Sequence, residues 1–401
     1  MLRRIRYNAA RRRAVHTPPQ RPNPATKHAV ALKPRQRGIA LKKTVAEYRI
    51  EHLQVLDPQG ELVSDLPDFA RDPEQLLSMY RLMTLTRTFD TKAINLQRTG
   101  KLGTYASSLG HEAAHVGIGS AMRDEDIFAP MYREYGAQLW RGVKMSEVLL
   151  YWGGDERGND FSGPRHDFPW CVPIATQCLH AAGAAMACKL RGEKRCAVTV
   201  IGDGGTSEGA FYEALNLAGA QRLPMMFVVV NNKWAISVPL HLQTAAETLA
   251  QKGIAAGIRC VQVDGNDVLA VRAASEEALA RARAGEGATL MEAVTYRLSD
   301  HTTADDATRY RPKEEVEEAW EFEPLLRIRK YLQSQGMWDE QREEDLLREC
   351  ANKVDAAVEE YLNTARMPVS AMFDHMYDEM PESLQEQREI AIRYEGSGGG
   401  H

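Results

Sequence analysis

Two short runs without a charged residue, Ala197 to Ile201, apolar but for Thr199, and Met225 to Val230, constrain this chain more than any other feature. A half-buried strand alternates apolar and polar residues, whereas an unbroken apolar run of strand length is covered on both faces. Between the runs lie a turn, Gly202-Asp203-Gly204-Gly205, and a segment in which Phe211, Ala214, Leu215 and Ala218 recur at helical spacing. The spacing predicts a helix that starts near Ser207 and stops before Pro224. Strand, helix and strand make one βαβ unit, so the expected class is α/β with a central, mostly parallel sheet and helices on both faces. The pattern recurs as a strand from Cys260 to Val263, the turn Asp264-Gly265-Asn266-Asp267, a helix through Ala284 and an apolar strand expected from Thr289 to Tyr296.

Around this centre the signals change. Asp72-Pro73 reads as an N-cap followed by proline at the first helical position, and Leu76, Tyr80 and Met83 then share one face. Beyond Pro312 the chain is charged and helical to about Thr364, with a last helical stretch from Glu382 to Arg393, and both read as surface or partner-facing helices. The expected organisation is a basic leader (1–45), an α/β domain (46–365), a helical extension (366–395) and a flexible Gly/Ser tail (396–401).

Composition excludes several classes. With 401 residues, 44% of them hydrophobic, the chain can bury a sizeable core, and no stretch reaches the roughly 18 apolar residues of a membrane helix. The net charge of −5 hides a split: residues 1–43 hold nine Arg, four Lys and no acid, a charge of +13, leaving −18 for the rest. A nucleic-acid role would rest on that leader alone. Its Arg-rich, acid-free make-up suits an organellar targeting peptide, while its prolines and lack of Ser favour a plain solvated arm. Six cysteines without a C-x-x-C pair point to a reducing compartment. A cytoplasmic location is expected, with the mitochondrial matrix as the alternative if the leader is a transit peptide.

Ligands of open α/β sheets bind at the carboxyl ends of strands, which directs attention to the turns after Ile201 and Val230. Glycines let backbone amides approach a phosphate, but the Asp203 carboxylate would repel one unless a divalent cation lies between them. The turn therefore predicts Mg²⁺, held by Asp203 with the Asn232 side-chain oxygen as a second hard ligand. The dinucleotide fingerprint fails because its last glycine is Ser207, and no P-loop run occurs.

A rival motif is His111-Glu112-Ala113-Ala114-His115, which matches the H-E-x-x-H of zinc proteases. Its extended form fails at Ile118 and Ala121, and Gly117 and Gly119 would weaken the helix that the motif needs. Glu134 stands as the downstream acid by distance alone.

Gly-Asp-Gly after one strand and Asn-Asn after the next, with Asp203 and Asn232 here 29 positions apart, resembles the signature of thiamin diphosphate enzymes. The chain is more closely similar to α subunits of two-chain 2-oxo acid dehydrogenases, the decarboxylating first components of pyruvate and branched-chain complexes. Ser108-Leu109-Gly110-His111-Glu112, Met131-Tyr132-Arg133-Glu134, Gly202 to Gly209, Asn231 to Ser237 and Thr295-Tyr296-Arg297 with His301 carry that likeness. It implies Mg²⁺ on Asp203, Asn232 and the Trp234 carbonyl, and the diphosphate on the amides of Gly204 and Gly205. Tyr132, Arg133, Val172 and His301 become further cofactor contacts, with Ile174 supporting a bent cofactor and His301 also serving in catalysis. Tyr105 and Glu112 would lie near substrate. Cys171, Pro173, Thr176 and Gln177 resemble a segment that holds potassium in branched-chain members. Val230 stands where some of those members have a phosphate-binding Arg, which shifts charge neutralisation to Arg133, His301 and Mg²⁺.

The resemblance also implies partners. A β subunit would supply the Glu that activates the cofactor in a heterotetramer of two α and two β chains, and a lipoyl-bearing acyltransferase would take the acyl group. Neither membrane nor nucleic acid is an expected partner. Pyruvate is the first substrate choice, from Gly204 to Gly209 and Thr248 to Lys252. Branched-chain 2-oxo acids come second, from Pro173 to Gln177 and Gln335 to Trp338, and acetoin third. The loop His301-Thr302-Thr303-Ala304-Asp305-Asp306 lacks the serines phosphorylated in mitochondrial members.

Overall fold

Side chains leave a strand alternately to its two faces, and here both sets are apolar. Ala197, Ile201, Met225, Phe227, Val229 and Leu290 pack on one side against the helices Thr176–Leu190 and Gly209–Gln221. Val198, Val200, Met226, Val228, Met291 and Ala293 pack on the other against the helices Glu112–Ala121 and Val268–Arg283. The computed structural model that shows this describes residues 42–395, so most of the basic leader and the whole Gly/Ser tail lie outside the described residues.

The strands are β1 (His52–Leu53), β2 (Ile127–Ala129), β3 (Ala197–Gly202), β4 (Met225–Asn231), β5 (Trp234–Ala235), β6 (Val238–Pro239), β7 (Arg259–Asp264) and β8 (Thr289–Val294). Six form one sheet in the order β1-β7-β8-β4-β3-β2, and every neighbouring pair is parallel. β5 and β6 make a small antiparallel hairpin directly after β4. The α/β expectation holds, with the two apolar runs adjacent at the sheet centre.

Four local expectations are corrected. The helix after β3 begins at Gly209, because a 3-10 turn, Gly204–Ser207, intervenes. β8 ends at Val294 rather than Tyr296, and its Glu292 is a buried carboxylate bonded by the Asn231 amide, the Gln262 amide and the Ala250 N–H. The helix Glu112–Ala121 keeps its glycines for want of space: a Cβ on Gly117 would sit 2.7 Å from the Val271 side chain, and one on Gly119 2.9 Å from the Ala137 backbone. Tertiary packing thus outweighs the roughly 1 kcal/mol that glycine costs a helix.

The fourth correction concerns the charged helices. Pro324–Ser334 buries Leu325, Ile328, Tyr331 and Leu332, and Glu340–Asn363 buries Leu346, Cys350, Val354 and Val358 at four-residue spacing. Both pack on the long helix Pro73–Arg98, whose Asp72 N-cap and buried Leu76, Tyr80 and Met83 match expectation. At about 1.5–3 kcal/mol for each buried Leu or Val, that contact fixes these helices to the domain despite their charge. The helices Lys313–Trp320 and Glu382–Tyr394 and the short turn Ala371–Asp374 bury no residue of their own. Among the described residues no helix is long and apolar enough to cross a membrane.

Candidate active site

Four neighbouring strands, β2, β3, β4 and β8, end on the same side of the sheet because all run parallel, and each hands on a polar segment. β2 leads to Met131–Glu134, β3 to Gly202–Gly205, β4 to Asn231–Trp234 and β8 to Thr295–His301. These segments enclose a cavity of about 450 Å³ whose lining includes Tyr132, Arg133, Asp203, Asn232, Trp234 and His301. Gly204, Gly205, Val172 and Ile174 also face it, so ten of the expected site residues meet there although Tyr132 and His301 are 169 positions apart.

The glycines are sterically required. A Cβ on Gly204 would meet that of Ala235 at 2.5 Å, and one on Gly205 would meet Ile201 at 2.6 Å and Ile174 at 3.1 Å. Three of the four non-glycine residues with positive φ among those described, Ala175, Lys233 and Ile236, flank the same cavity. Backbone held in the left-handed region costs about 1–3 kcal/mol per residue and tends to collect at binding sites. Here the loop is pinned by Arg297, which is fully buried and donates to the carbonyls of Trp234 at 3.1 Å and Ile236 at 2.9 Å. The Trp234 indole is tied in turn to Glu315 at 2.7 Å.

Asp203 is 2% exposed, and burial raises its carboxyl above the usual range. Its side chain accepts from the Gln243 amide at 2.7 Å; that bond, the main-chain N–H groups of Asp203 and Asn232 and the Arg297 charge offset part of the rise, and no ion pair reaches it among the described residues. The Oε1 of Gln243 is itself buried without a partner. An unmet buried carboxylate beside the Asn232 amide oxygen and a main-chain carbonyl is a set of hard oxygen donors, which suits Mg²⁺.

His301 stands between two guanidiniums, with Arg133 Nη2 and Arg297 Nη1 each 3.4 Å from its Nδ1. Burial, then Arg133 and Arg297, push its pKa down to about 3, so the ring is neutral. Guanidinium nitrogens only donate, so Nδ1 accepts and the proton sits on Nε2, 3.5 Å from the Tyr132 hydroxyl. Arg133 also donates to the carbonyls of Ser107 and, at 2.9 Å, of His301.

A family profile described as "Dehydrogenase E1 component" matches residues 80–369. The chain is 42% identical over 345 residues to the "Pyruvate dehydrogenase E1 component subunit alpha" of Staphylococcus aureus strains Mu50 and MW2, which covers 85% of this chain and 93% of each relative. The protein of the same name from Staphylococcus epidermidis strain RP62A matches at the same identity and coverage. The chain belongs to the dehydrogenase E1 component family.

Membership in the E1 family implies thiamin diphosphate as cofactor and a multi-chain setting. The cavity suits such a molecule: glycine amides, Arg133 and the Asp203 donor set lie at one end, and Val172, Ile174 and Ile236 give apolar wall that remains 42–54% exposed. Thr176 and Gln177 begin the helix behind that wall. Gln177 donates to the Val200 carbonyl at 2.8 Å, while its Oε1 is buried without a partner, and the Cys171 thiol bonds the Pro173 carbonyl.

Neither residue expected near substrate is brought to the cavity. Tyr105 is wholly buried with its hydroxyl on Asp90 at 3.0 Å. Glu112 is also wholly buried, 2.6 Å from Arg87, and accepts the Gly110 N–H. That ion pair answers the protease motif as well, because Glu112 is not free to act as a base. His111 and His115 stack at 5.5 Å in the interior, and Glu134 accepts the Met131 N–H with its pKa pushed up by burial to about 7. Sequence reasoning missed Gln243, His111 as a neighbour of Asn232, and the anchoring role of Arg297. Only Arg297 left a signal, as a charge directly behind an apolar strand.

Proposed function

We propose that this chain is the α subunit of a thiamin diphosphate-dependent pyruvate dehydrogenase component, acting as oxidoreductase and decarboxylase within a 2-oxo acid dehydrogenase complex. The observation that carries the reading is the buried Asp203 carboxylate, which has no cation of its own and stands at the head of a glycine turn. Mg²⁺ on Asp203, Asn232 and the Trp234 carbonyl would meet that charge and carry the diphosphate, whose remaining charge faces Arg133 and the amides of Gly204 and Gly205. When bound, thiamin diphosphate supplies a nucleophilic thiazolium carbon and an electron sink for loss of CO₂ from a 2-oxo acid. Neutral His301 holds its proton on Nε2 toward the cavity, where it can donate to developing negative charge. Val172, Ile174 and Ile236, exposed in this chain alone, form an apolar rim that a β chain would cover.

On this reading the β chain supplies the activating Glu, the assembly is a heterotetramer of two α and two β chains, and the acyl group passes to a lipoyl group on the acyltransferase. Potassium would be held by Thr176, Gln177, Cys171 and Pro173, with the unpartnered Gln177 oxygen in support. The division into a cofactor domain (46–365) and a helical extension (366–395) goes with the same reading, as does a cytoplasmic location, since the relatives named above are bacterial.

Reconstitution with a β chain tests the substrate and the partner together. Pyruvate should exceed 3-methyl-2-oxobutanoate in kcat/KM by more than about tenfold, the discrimination that a pocket shaped for one methyl group affords. Preference for the branched acid would move the assignment to the branched-chain class. Full-rate turnover by the isolated chain would sink the partner requirement.

A further inference from the structure

The H-E-x-x-H motif leaves one residue unexplained. His111 is 1% exposed, does not line the cavity, and belongs to no ion pair among the described residues. Its Nε2 lies 3.1 Å from the Asn232 side-chain nitrogen, and its Nδ1 lies 3.3 Å from the Ser108 carbonyl.

These contacts fix the arrangement by chemistry alone. The Trp234 backbone N–H, 3.2 Å from the Asn232 amide, can only donate, so the atom facing it is Oδ1. Nδ2 then faces His111, and since it too can only donate, His111 Nε2 must be the bare nitrogen. The ring proton is left on Nδ1, where the Ser108 carbonyl accepts it. The chain Ser108 carbonyl, His111 ring, Asn232 amide, Trp234 N–H has each donor matched to an acceptor and reads in one direction only.

The Trp234 bond by itself ties Asn232 to a neighbour in the same loop, whose φ values at Lys233 and Ile236 are already strained. His111 ties it instead to the start of the helix Glu112–Ala121, a separate element whose buried face packs on the sheet. Stacking on His115 at 5.5 Å restrains the ring plane.

We propose that His111 is a positioning residue: locked as the Nδ1–H tautomer, it holds the Asn232 amide so that Oδ1, not Nδ2, faces the cation beside Asp203. The inference rests on the reading of Asp203 and Asn232 as Mg²⁺ ligands. Outer-shell partners of metal ligands change affinity by about 10–100-fold when removed.

The test has two readouts. Selective ¹⁵N labelling of histidine in the full chain, with His111→Gln to assign the signal, should show Nδ1 protonated and Nε2 bare; protonation at Nε2 overturns the proposal. Calorimetry of Mg²⁺ with thiamin diphosphate on the assembled α–β enzyme should show His111→Phe and His111→Met weaker by about 10–100-fold. His111→Gln, whose Oε1 can accept from Asn232, should recover most of the loss. Apolar variants that fold, matched in thermal midpoint, and bind as wild type does overturn the proposal while leaving the metal reading intact. Wild type that shows no Mg²⁺-dependent binding overturns both. If neither apolar variant folds, the tautomer decides.

Discussion

Glu112 and Asp203 are both carboxylates excluded from water, at 0% and 2% exposure, and the molecule treats them in opposite ways. Glu112 has Arg87 at 2.6 Å and the Gly110 N–H at 3.0 Å, and Arg87 goes on to Glu323 at 3.0 Å. Asp203 has only neutral donors at hand, the Gln243 amide and main-chain N–H groups. A buried charge fully met by its own chain is part of the framework; one that is not marks a place where something else is meant to bind. The same contrast separates Glu292, answered by three donors, from the strained turn after β4.

The comparison breaks or sharpens most clearly through Glu112. Glu112→Ala leaves Arg87 with Glu323 alone and the Gly110 N–H without its acceptor, and should cost about 3 kcal/mol in urea unfolding of the full chain. A loss below about 1 kcal/mol would remove Glu112 from the framework class. Next, Asp203→Ala should lower Mg²⁺-dependent affinity for thiamin diphosphate by more than about 100-fold, or about 2.7 kcal/mol, in calorimetry on the assembled enzyme. Retained affinity would reject the metal assignment.

A buried base gives the third case. Neither ring nitrogen of His115 has a partner, and its pKa is pushed down to about 3 by burial and then by Arg133. The unfolded chain takes up this proton near pH 6.5 and the folded chain does not until about pH 3, so stability is lost as pH falls through that window. His115→Leu should flatten the curve of stability against pH there by about 1.4 kcal/mol per unit. An unchanged slope would mean the ring is hydrated or paired in solution. The smallest effect is expected for Asp203→Asn in the cofactor-free chain. Removing an unmet buried charge should raise stability by about 1 kcal/mol, opposite in sign to Glu112→Ala, and a destabilisation would refute the contrast drawn above.

How much of this was legible differs by element. Ala197 to Ile201 and Met225 to Val230 declared a sheet buried on both sides, since only helices on each face satisfy such runs. Asp203 was legible because a carboxylate among glycines at a strand's carboxyl end stands out as a charge with no local partner in the sequence. The charged helices Pro324–Ser334 and Glu340–Asn363 were misread as surface, because their buried positions are diluted by acids and bases, whereas Lys313–Trp320 and Glu382–Tyr394 do bury no residue. Glu292 was hidden inside an apolar strand, and its partners Asn231, Ala250 and Gln262 are brought to it only by the sheet and its flanking loops.

By itself, then, the sequence determined the layered α/β class and marked the turns, Asp203 among them, where the cavity lies. These follow from local patterns: periodicity over a few residues and charge beside glycine. The tertiary structure alone decided which of the marked residues face the cavity, that Glu112 belongs to Arg87 and that His111 belongs to Asn232. Pairings across 25 to 121 positions depend on strand order and helix packing, which no local spacing encodes.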